Sequence, residues 1–151
     1  MKSPNHKIIK SKHSHGFTLL MAMVISSLLL SLGITVFNVT LKELVLSSYG
    51  RNSQFAFYAA DTGVECALFW GIKKNAFSTS SPTNIECDGK TIENVGGQSV
   101  SIFNINFSPD PFCATVTVDK SGNRTIIESR GYNTCDVSNA RRVERGIRVT
   151  Y

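Results

Sequence analysis

What this 151-residue sequence lacks already narrows the functions open to it. Histidine is absent after residue 15, and none of the four cysteines forms a C-x-x-C pair. Metal ligation beyond residue 15 is therefore not expected. The chain also has no Gly-x-Ser-x-Gly motif, no phosphate-binding loop and no clustered acids that would form a catalytic constellation. We predict that the protein is not an enzyme and uses no cofactor.

Formal charge is missing from the 25 residues that run from Phe17 to Leu41. A membrane helix needs about 20 consecutive apolar residues, so this run is long enough to cross a bilayer. The 16 residues before it hold four lysines and no acid, and they supply most of the net charge of +5. By the positive-inside rule this leader lies in the cytoplasm and the C-terminal part lies outside. The basicity is therefore a signal of topology and poor evidence for nucleic-acid binding.

Cysteine is scarce but even in number, and all four cysteines lie beyond the apolar run, at Cys66, Cys87, Cys113 and Cys135. In an exported part of about 110 residues, an even count favours two disulfides, for which three connectivities are open. Such bonds fit an oxidising compartment. Proximity along the chain favours pairing Cys66 with Cys87 and Cys113 with Cys135.

No proline occurs between Pro4 and Pro82, so a helix can run without a break from Phe17 onward. Beyond Leu41 the apolar positions recur at steps of three and four, which is typical of an amphipathic helix. Gly71 or the lysine-rich turn that follows it ends the predicted helix. The predicted stripe consists of Leu41, Leu44, Val45, Ser48, Phe55, Ala59, Thr62, Cys66 and Phe69 or Trp70.

The rest of the chain has the pattern of a loop followed by strands. Serine, threonine and proline cluster at residues 78–82 and predict little regular structure over residues 73–98. Alternating apolar positions in residues 99–151 predict about four antiparallel strands, with Val116 opposite Ile127. Arg145 falls on the apolar face of the last strand, which is a fault in the pattern unless Gly146 marks a bulge. An apolar helix stripe and an apolar sheet face need each other, so the predicted fold class is α+β.

The junction between the leader and the apolar run, residues 16–20, reads Gly-Phe-Thr-Leu-Leu. It resembles the class III leader of type IV prepilins, in which a membrane peptidase cuts after the glycine and methylates the new N-terminal residue. The resemblance implies cleavage between Gly16 and Phe17, N-methylation of Phe17, and an apolar segment that becomes the core of a filament. The implied partners are a prepilin peptidase, a membrane assembly platform, other pilin subunits and, before assembly, the lipid of the cytoplasmic membrane.

Residues 59–63, Ala-Ala-Asp-Thr-Gly, resemble a stretch late in the long helix of PilX-like minor pilins. The alternative is simply a helix face of small residues that packs closely on the sheet. Met21 stands at mature position five, where most pilins and pseudopilins have a glutamate that neutralises the N-terminal amine of a neighbouring subunit. The resemblance therefore implies a pilin-like fold and the role of a minor pilin or pseudopilin, at the filament tip or in priming assembly.

Other interpretations stay open. An ordinary secretory signal would be cut on the far side of the apolar run, at the small-x-small site that ends at Gly33, and an unprocessed anchor would not be cut at all. A DNA- or surface-binding module on a filament would use arginines near the C-terminus, and a solvated strand face would explain the same residues. The arginines of this candidate nucleic-acid contact are Arg141, Arg142, Arg145 and Arg148.

The predicted organisation has five parts. They are a cytoplasmic leader that is removed (1–16), the transmembrane and filament-core half of the helix (17–41), its amphipathic half (42–72), a loop region (73–98) and the antiparallel sheet of the pilin head (99–151). The protein is predicted to lie first in the cytoplasmic membrane and then in an extracellular or periplasmic filament.

Overall fold

The computed structural model describes residues 15–151, so the leader, predicted at 1–16, lies outside the described residues except for its last two positions. One long helix, α1 (His15–Leu68), is followed by a single π-helical turn at Phe69–Lys73. Six strands come next: β1 (Pro82–Cys87), β2 (Lys90–Gly96), β3 (Val100–Asn106), β4 (Cys113–Asp119), β5 (Ile126–Tyr132) and β6 (Glu144–Thr150). The helix packs on antiparallel sheets of two and four strands, which confirms the predicted α+β class.

The chain divides into two compact units, with the boundary between Val45 and Leu46. In the first unit α1 is uncovered on every side, and every residue from Phe17 to Val45 is exposed. Its apolar stretch is long enough to cross a membrane. Four hydroxyl groups along this stretch donate hydrogen bonds of 2.6–2.9 Å to backbone carbonyls three or four residues earlier in the chain. The donors are Ser26, Ser27, Thr35 and Thr40. These polar groups are thus compatible with an apolar environment.

In the second unit the buried face of α1 consists of small residues. Of the large members of the predicted stripe, Phe55 is 40% exposed although it stacks on Phe112 with ring centroids 5.6 Å apart. The stripe was predicted to end at Phe69 or Trp70, and it is Trp70 that packs against the core while Phe69 is 52% exposed. The reason for a buried face of small residues is steric, because small residues allow the helix backbone to lie close to the sheet. The buried residues are Ala56, Ala59, Ala60, Gly63, Val64 and Ala67.

Two glycines define this close approach. A Cβ added to Gly131 on β5 would overlap the backbone of Ala56 and Ala60 on α1. A Cβ added to Gly63 on α1 would overlap the Ser129 hydroxyl and lie 2.9 Å from Val116 Cγ2. Glycine is therefore required by space at both positions, one on the helix and one on the sheet.

The four-stranded sheet is an antiparallel meander in the order β3-β4-β5-β6. Val116 pairs with Ser129 and Val118 pairs with Ile127, so the predicted pairing of Val116 with Ile127 is wrong by two residues. The cause is the connection, because residues 120–125 form a six-residue loop rather than a two-residue turn. The face toward α1 is buried at Ser101, Phe103, Ile105, Ala114, Val116, Val118, Ile127 and Ser129.

Strand β6 pairs with β5 in unbroken register, so Gly146 marks no bulge. Arg145 therefore shares the helix-facing side with Ile147 and Val149. It is accommodated because its Nε donates a hydrogen bond of 2.7 Å to the Ser53 hydroxyl on α1. The apparent fault in the pattern is a contact between the edge strand and the helix.

The loop predicted at 73–98 is wrong over most of its length, because β1 and β2 form a two-stranded hairpin there. Asp88 and Gly89 have positive φ angles of 52° and 66°, which is the two-residue Asp-Gly turn typical of hairpins. Ile85 and Val95 bury their side chains, and Phe77 before the hairpin stacks on Phe103 with ring centroids 5.8 Å apart. The serine and proline signals mark only the approach to the hairpin.

Candidate functional site

The predicted cleavage junction lies at the start of α1, which begins at His15. Phe17, the predicted N-methylated residue, is 65% exposed. Met21, four residues further on, is 48% exposed and is one of the uncharged residues of the apolar run. A new amine at Phe17 would thus begin an uncovered apolar helix whose nearest positions offer no carboxylate.

The first predicted disulfide is present in the structure. Cys66 on α1 is bonded to Cys87 at the end of β1, with their Cα atoms 6.0 Å apart. Beside it, the Trp70 indole N–H donates a hydrogen bond of 2.8 Å to the Glu86 carbonyl oxygen. The end of the helix is therefore fastened to the hairpin by one covalent bond and one hydrogen bond.

The second predicted disulfide differs from the structure, in which Cys113 and Cys135 are free thiols. The two side chains are nevertheless neighbours, since the Cys135 thiol donates to the side chain of Asn106, which is the cross-strand partner of Cys113. Backbone contacts hold them there, since the Cys135 N–H donates to the Pro111 carbonyl at 2.9 Å and Cys113 pairs with Tyr132 across β4 and β5. The predicted pairing thus identifies the right neighbours, and the covalent bond between them is not formed.

These thiols line a cavity on the outer face of the four-stranded sheet. We define the outer face as the face turned away from α1. The cavity has a volume of about 240 Å³. Its lining is polar apart from one alanine and one aromatic ring: Asn104, Asn106, Cys113, Ala114, Thr115, Tyr132, Cys135 and Arg142. The Thr115 hydroxyl donates to the Asn104 side-chain oxygen at 2.8 Å, and the Cys135 thiol donates to the Asn106 side-chain oxygen at 3.7 Å.

Arg142 is fixed at the rim of this cavity by two contacts. Its guanidinium carbon lies 3.7 Å from the centroid of the Tyr132 ring, a cation–π contact, and its Nε donates a hydrogen bond of 3.2 Å to the Thr134 carbonyl. Burial and a hydrogen bond with Glu144 raise the pKa of Tyr132 above its ordinary value.

The four arginines of the candidate nucleic-acid contact do not form one stripe. Arg141 and Arg142 lie in the loop between β5 and β6, whereas Arg145 faces α1 and donates to Ser53. Arg148 lies on the outer face, where its charge lowers the pKa of Asp119 after the stronger effect of hydrogen bonds from Ser121. Divided between a loop and two opposite faces, these residues do not offer a single basic surface.

A second cavity, of about 340 Å³, lies beside the Cys66–Cys87 bond. Glu65, Glu86 and Asp88 are among its lining residues, together with the Trp70 ring. Within residues 15–151 no group of three or more histidine, cysteine or acidic side chains is arranged to hold a metal ion. This second cavity is therefore acidic and borders the disulfide, but its described side chains do not form a set of metal ligands.

The outer-face cavity was not among the predicted sites, although the strand pattern contains a partial signal for it. Asn104, Thr115 and Tyr132 occupy the outward positions of three strands whose alternate residues are buried. Strand parity alone places such residues on one face, but the register that brings them together was not available from the pattern. No protein-family model matches this chain, and neither the search of curated proteins nor the search of solved structures returned a match.

Proposed function

We propose that this chain is a minor pilin or pseudopilin, a structural subunit of a type IV pilus or of a related secretion or competence filament. A prepilin peptidase cuts it after Gly16 and methylates Phe17. The mature protein is held in the cytoplasmic membrane by the first half of α1, with the head outside, and then enters a filament through the assembly platform and contacts with other pilin subunits.

The observation that carries this proposal is the combination of the Gly-Phe-Thr-Leu-Leu junction with the uncovered apolar half of α1 directly behind it. Exposed large apolar side chains are unfavourable in water and need lipid or other apolar helices around them. A prepilin supplies these surroundings in two stages, first as bilayer and then as the packed helices of a filament. The Cys66–Cys87 bond supports an oxidising location for the head.

The role of a minor subunit is supported by Met21. In the pilins that the junction resembles, a glutamate at this position pairs with the N-terminal amine of a neighbouring subunit inside the apolar core. Burying an unpaired ammonium costs several kcal/mol, and about 1.4 kcal/mol already changes an equilibrium tenfold. A chain with methionine here is therefore suited to a position that few subunits occupy, such as the tip.

The experiment is filament incorporation. The protein is expressed with a prepilin peptidase, an assembly ATPase and a pilin that carries the glutamate, and its copies per filament are counted by quantitative mass spectrometry. We expect low stoichiometry for the wild type and a clear increase for Met21→Glu. Met23→Glu is the matched control, because Met23 is also exposed on the apolar half of α1 but lies two positions further along. It should not increase incorporation.

Long filaments built from the wild-type chain alone would contradict the minor-subunit role. Complete absence from filaments, for the wild type and Met21→Glu alike, would contradict the filament function as a whole. A general effect of charge would show as equal results for Met21→Glu and Met23→Glu, and it would remove the pairing argument.

A further inference from the structure

The outer-face cavity holds two thiols that are adjacent but chemically unequal. Cys135 lies in the loop after β5 and is exposed, whereas Cys113 begins β4 and is partly buried. Both line the same cavity and both neighbour Asn106, and Arg142 is the charged residue of the cavity lining. An exposed thiol with a second, less exposed thiol beside it is the arrangement found where one cysteine reacts with an external disulfide and the other resolves the product.

We propose that Cys135 and Cys113 form a thiol–disulfide exchange site that reacts in a fixed order, Cys135 first and Cys113 second. The Cys135 thiolate attacks one sulfur of an external disulfide, a new Cys135–S–S–R bond forms, and one R–S⁻ leaves and takes up a proton. The Cys113 thiolate then attacks Cys135 Sγ, and the second R–S⁻ leaves in the same way. In total two protein thiols are oxidised to one disulfide and the external disulfide is reduced to two thiols.

The order follows from accessibility and from the state of Cys113. Burial raises the pKa of Cys113 to about 12, with further contributions from the hydrogen bond and the charge of Cys135. At neutral pH this thiol is almost entirely protonated and is a poor first nucleophile, since only the thiolate attacks. Cys135 is the thiol that an external disulfide can reach.

The second step differs from the first in two respects. Once Cys135 is a mixed disulfide its charge ceases to raise the pKa of Cys113, although burial, the largest cause, still raises it. The Arg142 guanidinium, which lowers this pKa, remains in place. Cys113 also needs no diffusion to reach its target, which gives an intramolecular attack a large advantage over a second external thiol.

The loop between β5 and β6 does not depend on the new bond for its shape. The Asn133 amide donates to the Arg141 carbonyl at 3.2 Å, and its side-chain oxygen accepts from the Val143 N–H at 2.6 Å. The loop is therefore held by its own hydrogen bonds in the dithiol state. This inference does not rest on the proposed filament function, because it concerns only the chemistry of the head.

The experiment uses glutathione disulfide as the probe on the full chain with the Cys66–Cys87 bond intact. Early samples are quenched and the site of the mixed disulfide is found by peptide mass spectrometry. In the wild type we expect the adduct on Cys135, followed by conversion to the Cys113–Cys135 bond. Cys113→Ser should accumulate a stable adduct on Cys135, and Cys135→Ser should react at least about tenfold more slowly at pH 7 because its remaining thiol is shielded and protonated.

Raising the pH should accelerate Cys135→Ser more steeply than Cys113→Ser. A first adduct on Cys113 in the wild type, or equal rates for the two variants, would overturn the proposed order. A wild-type adduct on Cys135 that persists without conversion would overturn the exchange site itself. The early wild-type samples decide between these outcomes even if a variant fails to fold.

Discussion

The two halves of α1 differ in which side chains they leave uncovered. From Phe17 to Val45 every residue is exposed, including leucines and phenylalanines. From Ala56 to Ala67 the helix packs on the sheet, and it does so with alanine, glycine and valine while Phe57 and Tyr58 remain 48% and 62% exposed. Close packing of α1 on the sheet therefore uses the smallest residues of this segment, and most of its large apolar side chains stay exposed.

This difference teaches that hydrophobicity alone does not identify the packed face of such a helix. Burial of one leucine-sized side chain is worth about 1.5–3 kcal/mol, so the first half of α1 gains greatly from an apolar environment. In the second half, stability comes from the close approach that Gly63 and Gly131 permit. The contrast can be tested at single positions.

The largest effect is expected for Gly131→Ala. Its new Cβ would overlap the backbone of Ala56 and Ala60, which cannot move without shifting the helix from the sheet. We expect a loss of about 3 kcal/mol or more in the free energy of unfolding, at or above the usual cost of overpacking. Denaturant unfolding in detergent, followed by fluorescence of Trp70, measures it. Gly33→Ala in the uncovered half, where the added Cβ would meet no other part of the chain within 4 Å, should change the free energy of unfolding far less.

The next effect concerns the bond between α1 and the hairpin. Cys66→Ala/Cys87→Ala removes a disulfide that closes a loop of 21 residues, and we expect a loss of about 3 kcal/mol in the chain-entropy model. The same unfolding experiment checks it. Reductant should lower the free energy of unfolding of the wild type nearly to that of the double variant. An unchanged free energy of unfolding under reductant would mean that the bond contributes little.

A smaller effect separates two buried serines on the helix-facing side of the sheet. The Ser101 hydroxyl accepts a hydrogen bond of 3.1 Å from the Gly96 N–H, whereas the Ser129 hydroxyl, which faces Gly63, has no hydrogen-bond partner in the part of the chain that the structure describes. Ser101→Ala should lower the free energy of unfolding by about 1 kcal/mol, because it leaves the buried Gly96 N–H without its acceptor. Ser129→Ala should be neutral or stabilising. Equal losses for both variants would show that Ser129 has a partner in solution.

How far the sequence predicts this molecule depends on the kind of signal. The long helix, the four-stranded meander and the Cys66–Cys87 pairing follow from composition, alternation and chain proximity. The β1–β2 hairpin was missed because serine and proline signals outweighed the Asp88-Gly89 turn. The β4–β5 register was wrong because a six-residue loop replaced the expected tight turn. The outer-face cavity and the contact of Arg145 with Ser53 could not be predicted, since each depends on register or on an approach across layers.

The central claim is that the apolar half of α1 is retained after a cut at its N-terminal edge. The direct measurement is the intact mass and N-terminal sequence of the protein from cells that carry a prepilin peptidase. We predict a chain of 135 residues, 151 minus 16, that begins with N-methylated Phe17. Gly16→Val should abolish the cut and Gly33→Val should not affect it. An N-terminus at Ile34 that Gly33→Val abolishes, or an uncut chain that keeps its leader, would contradict the account.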